Sequence, residues 1–337
     1  SRRSFISNDI KHLEHNFDIH EYSFKDTSNI RLVISFLQQF FWCLFLLPKY
    51  DRVLVFFAGY HSFLPSLFSK IYSKKCFIFL GGADCYAFPS FNYGHHQKWL
   101  ISKFNCASVR LAYKLVPVHE SLMLSETSYY LVAESQQGIQ HFCKGLSTPY
   151  ETLHLEYDPE MFQQGNTDKI QDSFLSVAFG IAGTSFYRKG IDLIVEIAKR
   201  LPNCTFNIIG VNHNDVHFQY PSNLSFIPPV QYESLPGIYS KHEFYLQLSI
   251  AEGFPSAICE AMLCNCTPIG SNVAAIPQII GDSGYILQKK NVEHLLHLID
   301  QARQNREQSQ EDPRSRIIEL FGPNTRKSRL NSLIMKK

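Results

Sequence analysis

The sequence predicts an α/β protein made of two doubly wound, Rossmann-like domains. Apolar runs rich in Val, Ile and Phe alternate with amphipathic stretches, a polar segment at 153–172 interrupts them, and a second alternation follows. Strands that alternate with helices are typical of parallel sheets covered by helices on both faces. We therefore expect an N-terminal domain at 1–160, a C-terminal domain at 161–320, and a helix at 321–337 that crosses back toward the first domain.

The first half opens on a helix that a strand follows, so we expect the first strand of this domain to precede the sequence given. Further strands are predicted at 51–60, 75–84, 113–118 and 129–132. Further helices are predicted at 30–47, 61–73, 97–112, 120–127 and 135–146.

The stretch at 30–51 is the most apolar part of the chain. Three polar residues interrupt it: Arg31, Gln38 and Gln39. Because a membrane span needs about 20 nearly unbroken apolar residues, we expect a buried or interfacial helix. A small basic patch follows in sequence: Lys70, Lys74 and Lys75. Helix and patch together could rest the domain on an anionic membrane, and the alternative is a core helix beside a solvated face.

In the second half, strands are predicted at 173–180, 204–210, 224–230 and 244–250, and helices at 189–202 and 256–263. A polar helical tail begins near Asn291 and breaks near Gly322. Ligands of such sheets bind outside the carboxyl ends of the strands, where the loops 81–84 and 251–256 fall. We expect the two domains to place these loops in a cleft between them.

Composition excludes several classes. A formal net charge of +2 lacks the basic excess of a nucleic-acid binder. Nine scattered cysteines do not suit a disulfide framework, which favours a reducing, cytoplasmic setting. Cys264 and Cys266 have no second pair at zinc spacing, so no metal site is expected. A dinucleotide dehydrogenase is excluded because no G-x-G-x-x-G follows a strand.

Glu252 and Glu260 are the main candidate site residues. Glu252 follows a predicted strand, Gly253 and Pro255 turn the chain into a helix, and Glu260 lies on an early turn of that helix. The free N–H groups at the helix start form an anion site, so a diphosphate could bind there between two carboxylates that accept hydroxyl groups. Spacing alone is equally compatible with a solvated glutamate on a capped helix.

The surrounding residues resemble a known family. The sequence "AEGFPSAICEAM…TPIGSNVAAIPQIIGDSGYIL" is similar to the donor-site signature of glycosyltransferase family 4, retaining enzymes with the GT-B fold. Residues 179–210 resemble the family's strand, glycine-rich turn and Lys-Gly helix start. The likeness is specific over 174–287 and looser in the first half.

The resemblance implies a role for each matching residue. Glu252 would contact the donor sugar and Glu260 the ribose, while Lys189 would neutralise the diphosphate as the leaving group gains charge. Other expected donor contacts are Arg188, Gly183, Gly253, Phe254 and Ser256. A lysine at a helix N-terminus is disfavoured without an anionic partner, which supports the role of Lys189 over a merely solvated one.

Several positions depart from the family pattern. Ile181 stands where an Arg is frequent, and Arg188 can substitute for it. The stretch Leu80–Gly82 lacks a frequent His, which leaves Asp84 as the nearest polar candidate for an acceptor or sugar contact. Gln278 replaces a frequent glutamate.

The implied function is metal-independent transfer of a hexosyl group, with retention, from a UDP- or GDP-hexose to a glycan or lipid-linked acceptor in surface polysaccharide or glycolipid synthesis. No cofactor is expected, because the metal-binding D-x-D of the other large glycosyltransferase fold is absent. We expect a bacterial, cytoplasmic protein at the inner face of the membrane, with no nucleic-acid partner.

Two alternatives remain. An epimerase or phosphorylase of the same fold is disfavoured, since a phosphorylase needs a pyridoxal lysine and a longer chain. A catalytically inactive relative could bind a nucleotide sugar or a partner transferase. Ile181 and the missing His favour this second alternative, and intact Glu252, Glu260 and Lys189 oppose it.

Overall fold

The computed structural model describes residues 4–24, 29–165, 168–180, 183–306 and 311–335. Its strands are β1 Arg52–Phe56, β2 Lys75–Leu80, β3 Lys114–Pro117, β4 Ser125–Glu126, β5 Gln136–Gln137, β6 Ile170–Val177, β7 Thr205–Ile209, β8 Leu224–Ile227, β9 His242–Gln247, β10 Thr267–Ser271 and β11 Tyr285–Leu287. Its α-helices are α1 Ser4–Leu13, α2 Asn29–Phe45, α3 Tyr60–Ile71, α4 Trp99–Leu111, α5 Ile139–Phe142, α6 Ser185–Arg188, α7 Ile191–Arg200, α8 Leu235–Tyr239, α9 Ser256–Leu263, α10 Ile276–Ile280, α11 Val292–Gln304, α12 Pro313–Phe321 and α13 Thr325–Met335.

The chain divides into two compact units. The first comprises Ser1–Ser125, Gln136–Leu155 and Arg326–Lys337, and the second comprises Glu126–Ser135 and Glu156–Thr325. Residues 126–135 and 156–160, which we had assigned to the first domain, thus lie in the second unit.

The first unit is built on a three-stranded parallel sheet in the order β1-β2-β3. Phe77 and Phe79 of β2 lie in a buried cluster that also contains Leu13 of α1 and Leu330 of α13. The Arg326 guanidinium donates to both carboxylate oxygens of Asp9, at 2.8 and 2.7 Å, and both side chains are buried. The C-terminal helix is therefore held in the first unit by apolar packing and a bidentate ion pair.

The second unit is built on a six-stranded parallel sheet in the order β11-β10-β9-β6-β7-β8. Since β6 is the first strand of this sheet in the chain and β9 the fourth, this is the Rossmann order 3-2-1-4-5-6. The sequence direction of the sheet reverses between β6 and β9, which are hydrogen-bonded neighbours. The loops that follow these two strands therefore flank the topological switch point, where ligands bind in sheets of this kind.

Four predicted elements of the first half are wrong. The described residues after α1 up to position 24 form no strand, 129–132 form no strand, and 120–127 and 135–146 shorten to single turns at Glu120–Leu122 and Ile139–Phe142. The carbonyl of Met123 accepts from the Gln140 amide at 2.9 Å, so this carbonyl bonds to a distant segment and not to the next turn of a helix. Tyr129 itself is buried in the second unit, where its hydroxyl donates to the Leu248 carbonyl at 3.3 Å.

Cysteine pairing also differs from expectation. Cys106 of α4 and Cys143 form a disulfide with Cα atoms 5.2 Å apart, whereas we expected no pairing. The cysteines lie far apart in sequence, so their proximity follows from the packing of α4 against α5. Seven other cysteines are free and buried.

Candidate functional site

The candidate site lies at the switch point of the second unit. Arg188 and Lys189 follow β6 at the end of the short helix α6, and Glu252 follows β9. Gly190 adopts a φ of +72°, and a Cβ there would approach the Leu248 carbonyl oxygen to 2.3 Å. The Ile250 amide donates to the Arg188 carbonyl at 2.8 Å. Only glycine fits where the loop after β6 approaches the loop after β9. The same close approach brings Lys189 to Glu252.

Lys189 and Glu252 form an ion pair. The Nζ–Oε1 distance is 2.5 Å, and the side chains are 20% and 14% exposed. Burial alone raises the pKa of Glu252, but the Lys189 charge, hydrogen bonds from Lys189 and Ser249, and the Arg188 charge outweigh it, so the pKa is lowered from its usual value. Glu252 is therefore an anion at neutral pH. One of the three ammonium donors of Lys189 binds Glu252, which leaves donors for a second anion.

Gln247 supports this pair, and the sequence interpretation missed it. Its Nε2 donates to Glu252 Oε1 at 3.3 Å and to Ser249 Oγ at 2.9 Å, while its Oε1 accepts from the Tyr245 hydroxyl at 3.3 Å. The side chain is buried at the end of β9. A polar residue inside the apolar run at 244–250 was the available signal, because buried polar groups need partners.

The start of α9 adjoins Glu252. Gly253 and Phe254 form a bend, and Pro255 is the N-cap of the helix, one position before the first turn where we placed it. The Phe254 ring is buried against Tyr157 and Phe321, so only its backbone remains a candidate ligand contact. Ser256 Oγ accepts from the Tyr157 hydroxyl at 3.1 Å. No side chain caps the helix, so its first amides are available to an anion.

Glu260 is buried one turn into α9 and bound by two tyrosines that we had not predicted. Its Oε1 accepts from the Tyr232 hydroxyl at 3.2 Å and its Oε2 from the Tyr239 hydroxyl at 3.1 Å. Burial raises the pKa of Glu260 to about 7, although both hydroxyls lower it in part. Tyr239 is fully buried and Tyr232 is 38% exposed. A ligand hydroxyl can reach this carboxylate only beside Tyr232 or in its place.

The glycine-rich turn after β6 is only partly described. Gly183 is exposed, with a φ of +59° and open space where a Cβ would stand. Ile181, the position where the family often has Arg, lies outside the described residues. The Arg188 charge acts on Glu252.

Asp84 belongs to the first unit, where its carboxylate stabilises two loops. Its carboxylate accepts from the amides of Ala58 at 3.1 Å, Gly81 at 3.2 Å and Gly82 at 2.8 Å, and the residue is 2% exposed. These bonds join the loops after β1 and β2. They occupy most of the acceptor positions of the carboxylate, and the role of Asp84 as an acceptor or sugar contact stays a prediction.

One group of three side chains among the described residues has the spacing of a metal site, namely His96, Cys106 and Cys143. The two sulfurs are bonded to each other. The His96 ring lies 2.9 Å from Ser102 Oγ through Nδ1 and 3.1 Å from the Asp84 carbonyl through Nε2, and burial lowers its pKa to about 4. With every ligand atom engaged, the group does not fit a metal ion.

Comparison with known proteins gives a family match over part of the second unit. Residues 176–319 match the family model of glycosyl transferases group 1. An "Uncharacterized 41.2 kDa protein in cps region" of Klebsiella pneumoniae is 25% identical over 146 residues, 42% of this chain and 40% of that protein. The O-antigen chain mannosyltransferase B of Escherichia coli is 33% identical over 70 residues, 21% of this chain and 18% of that protein. The aligned parts span less than half of these relatives.

Solved structures show the same fold. Sucrose-phosphate synthase from Thermosynechococcus elongatus superposes with a TM-score of 0.68 and 12% identity, over 93% of this chain and 79% of that chain. HepE from Anabaena, solved in complex with UDP, gives a TM-score of 0.66 and 12% identity, over 90% and 81%. At this identity the likeness shows the fold alone. Together these comparisons define the class by its fold, GT-B, and by a match of residues 176–319 to the family model of glycosyl transferases group 1.

Proposed function

We propose that the protein is a retaining glycosyltransferase that transfers a hexosyl group from a nucleotide diphosphate sugar to a glycan or lipid-linked acceptor. The observation that carries this proposal is the Lys189–Glu252 ion pair at the switch point, beside the uncapped start of α9. A cation, an ionised carboxylate and free helix amides at one place suit a ligand that has both an anionic and a hydroxyl-rich part. A sugar attached to a diphosphate is such a ligand.

In the proposed arrangement, the diphosphate lies at the α9 amides and takes the remaining donors of Lys189. Glu252 accepts hydroxyls of the donor sugar, and Glu260 accepts those of the ribose. Arg188 adds positive charge near the same place. Three sources of positive potential then meet the diphosphate, so the proposal needs no divalent ion.

The proposed reaction breaks the bond between the anomeric carbon and the diphosphate oxygen while the acceptor oxygen attacks from the same face. The acceptor proton passes to the departing phosphate, so no protein nucleophile is required. Negative charge grows on the diphosphate in the transition state. Lys189, which is already oriented by Glu252, stabilises that charge more than the charge of the ground state, and this difference is what accelerates the reaction.

The family-4 assignment, the bacterial source and the cytoplasmic location belong to this proposal. The relatives named for a cps region and for an O-antigen chain support an acceptor in surface polysaccharide synthesis. The HepE complex supports a nucleotide as the donor's carrier. A lipid-linked acceptor also implies contact with a membrane, which we include as peripheral contact through the first unit.

A thermal-shift panel tests the donor class. The purified protein is heated with UDP, GDP, ADP and their hexose conjugates, in EDTA throughout, because a ligand that binds only the folded state raises the Tm by mass action. We expect one nucleotide family to raise the Tm, with the diphosphate and its hexose conjugate both effective. A Tm unchanged by every compound would contradict the proposal. Binding without release of nucleotide in the presence of acceptor lipids or glycans would instead identify the inactive relative.

A further inference from the structure

Helix α2 of the first unit turns its apolar side chains outward. Ile30 is 76% exposed and Phe45 66%. The exposed residues share one helical face, at intervals of three, four and seven positions, which we call the outer face: Ile30, Val33, Ile34, Leu37, Phe40, Phe41 and Phe45. No aspartate or glutamate occurs in the helix.

The inner face of the same helix carries small and polar residues together with the half-buried Phe36 and Trp42, which pack against the core. Ser35, Gln39 and Cys43 are buried, and Gln39 Nε2 donates to the His61 carbonyl at 2.8 Å. Cys43 lies in a buried cluster with Leu64 and Phe68 of α3. A surface helix of a protein surrounded by water keeps its outward face polar, whereas α2 is apolar on both faces. The outer face of α2 is therefore matched to an apolar medium.

The helix lies along the first unit and does not leave it. By length and composition the segment Ile30–Lys49 could cross a membrane, with a mean hydropathy of 1.8. Crossing would remove Gln39 from its bond to His61 and would separate Cys43 from the α3 cluster. Contact of the outer face alone, with the helix in the plane of an interface, keeps both interactions.

The segments that form α2 and α3 carry charge of one sign. Residues 29–50 and 60–75 contain no acidic residue and five basic ones: Arg31, Lys49, Lys70, Lys74 and Lys75. The Tyr72 hydroxyl donates to the Leu44 carbonyl at 3.2 Å, which places the end of α3 beside the end of α2. Lys70 and the 60% exposed Ile71 lie in the last turn of α3, directly before Tyr72. Basic side chains at the margin of an apolar face favour an anionic surface.

We propose that the outer face of α2 inserts in the plane of an anionic lipid bilayer, with Lys70 and Lys74 contacting the headgroups. An apolar face flanked by cations fits the boundary between acyl chains and anionic headgroups, and an aqueous protein surface offers no such boundary. The inference deepens, and in part rests on, the membrane contact in the proposed function. It would hold the first unit against the bilayer from which a lipid-linked acceptor is taken.

Vesicle flotation tests the proposal with the full chain. Vesicles of phosphatidylcholine alone are compared with vesicles that also contain phosphatidylglycerol, at low and high salt. We expect binding to the anionic vesicles, weakened by salt because exposed charges are screened. The double variant Phe41→Ser/Phe45→Ser should bind more than about tenfold more weakly, since two buried aromatic rings are lost from the interface. Lys70→Glu/Lys74→Glu should weaken binding only to anionic vesicles.

The matched control is Ile318→Ser/Leu320→Ser, which removes two exposed apolar side chains from α12 in the second unit. This control should bind vesicles as the wild type does. Absence of vesicle binding, or equal binding by the Phe41→Ser/Phe45→Ser variant, would overturn the proposal. So would a wild-type dimer that this variant converts to a monomer, because the outer face would then contact a second copy.

The experiments distinguish failure of the membrane inference from failure of the proposed function. The vesicles contain neither donor nor acceptor, and the nucleotide thermal shift is measured on the same variants. If the donor assignment fails, the nucleotide shift is absent while vesicle binding persists. If the membrane inference fails, the nucleotide shift persists in a protein that does not float.

Discussion

Asp84 in the first unit and Glu252 in the second both lie in loops at the carboxyl ends of parallel strands, β2 and β9. Asp84 is 2% exposed, and three backbone amides enclose its carboxylate. Glu252 is bound to side-chain donors, and its partner Lys189 is 20% exposed. A carboxylate held by amides braces a loop, whereas one held by an accessible ammonium can exchange partners with a ligand. The hydrogen-bonding partners of a carboxylate therefore distinguish a structural role from a chemical one better than its position on the sheet does.

Removal of the ammonium should have the largest effect. Lys189→Ala should lower kcat by about 10²–10³, the usual consequence of losing one preorganised contact to developing charge. KM should change much less, because the contact is strongest in the transition state. Steady-state kinetics with the donor found by thermal shift measures both constants.

Lys199→Ala is the matched control, since Lys199 lies on α7, is 53% exposed and pairs with Glu196. Its kcat should equal that of the wild type. Equal turnover of Lys189→Ala and Lys199→Ala would show that the two-loop contact at Lys189 is structural, as at Asp84.

Asp84→Ala should destabilise the first unit and leave the donor site unchanged. Loss of the carboxylate leaves buried amides without an acceptor, and the free energy of unfolding should fall by about 3 kcal/mol. Urea unfolding measures this change, with the exposed Asp51→Ala as control. The nucleotide affinity of the folded variant should not change. A stable Asp84→Ala protein with impaired turnover would make Asp84 an acceptor contact.

Glu260 supplies a pH-dependent test. Burial raises its pKa from 4.5 to about 7 in the folded protein. Between these values the unfolded chain loses the proton that the folded chain keeps, so this group's contribution to stability falls as pH rises from about 4.5 to 7. Glu260→Gln should remove that slope from a plot of unfolding free energy against pH. Tyr239→Phe, which loses a bond to the carboxylate, should extend the slope above pH 7, and identical slopes in all three proteins would contradict this account of Glu260.

The smallest effect is expected at Gln247. Gln247→Leu removes a neutral donor 3.3 Å from Glu252 Oε1 and keeps the side-chain volume roughly constant. A bond of this kind contributes about 0.5–1.5 kcal/mol, so kcat/KM should fall by about tenfold or less. A fall in kcat/KM as large as that of Lys189→Ala would indicate that Gln247 contacts the ligand directly, in contrast to the loop-stabilising role of Asp84.

Strands β6 to β9 of the second unit could be predicted from the sequence because their apolar runs are strong, and α9 was predicted over its whole length, Ser256–Leu263. The short strands β10 and β11 were not predicted. The segment around Tyr129 could not, because its burial comes from contacts with Leu248 and Lys290, distant in sequence. At the site, Glu252 and Lys189 were predicted through family resemblance, and their roles stay predictions. Tyr232 and Tyr239 were missed, since only folding brings their hydroxyls to Glu260.

The most direct test of the donor site is the discrimination between a nucleoside diphosphate and its monophosphate. Calorimetric titration in EDTA compares the wild type, Lys189→Ala and Lys199→Ala with both ligands. If Lys189 binds the diphosphate, the wild type and Lys199→Ala prefer the diphosphate, and Lys189→Ala loses most of that preference while its affinity for the monophosphate stays. An undiminished preference in Lys189→Ala would contradict the assignment of the switch-point ion pair as the donor site.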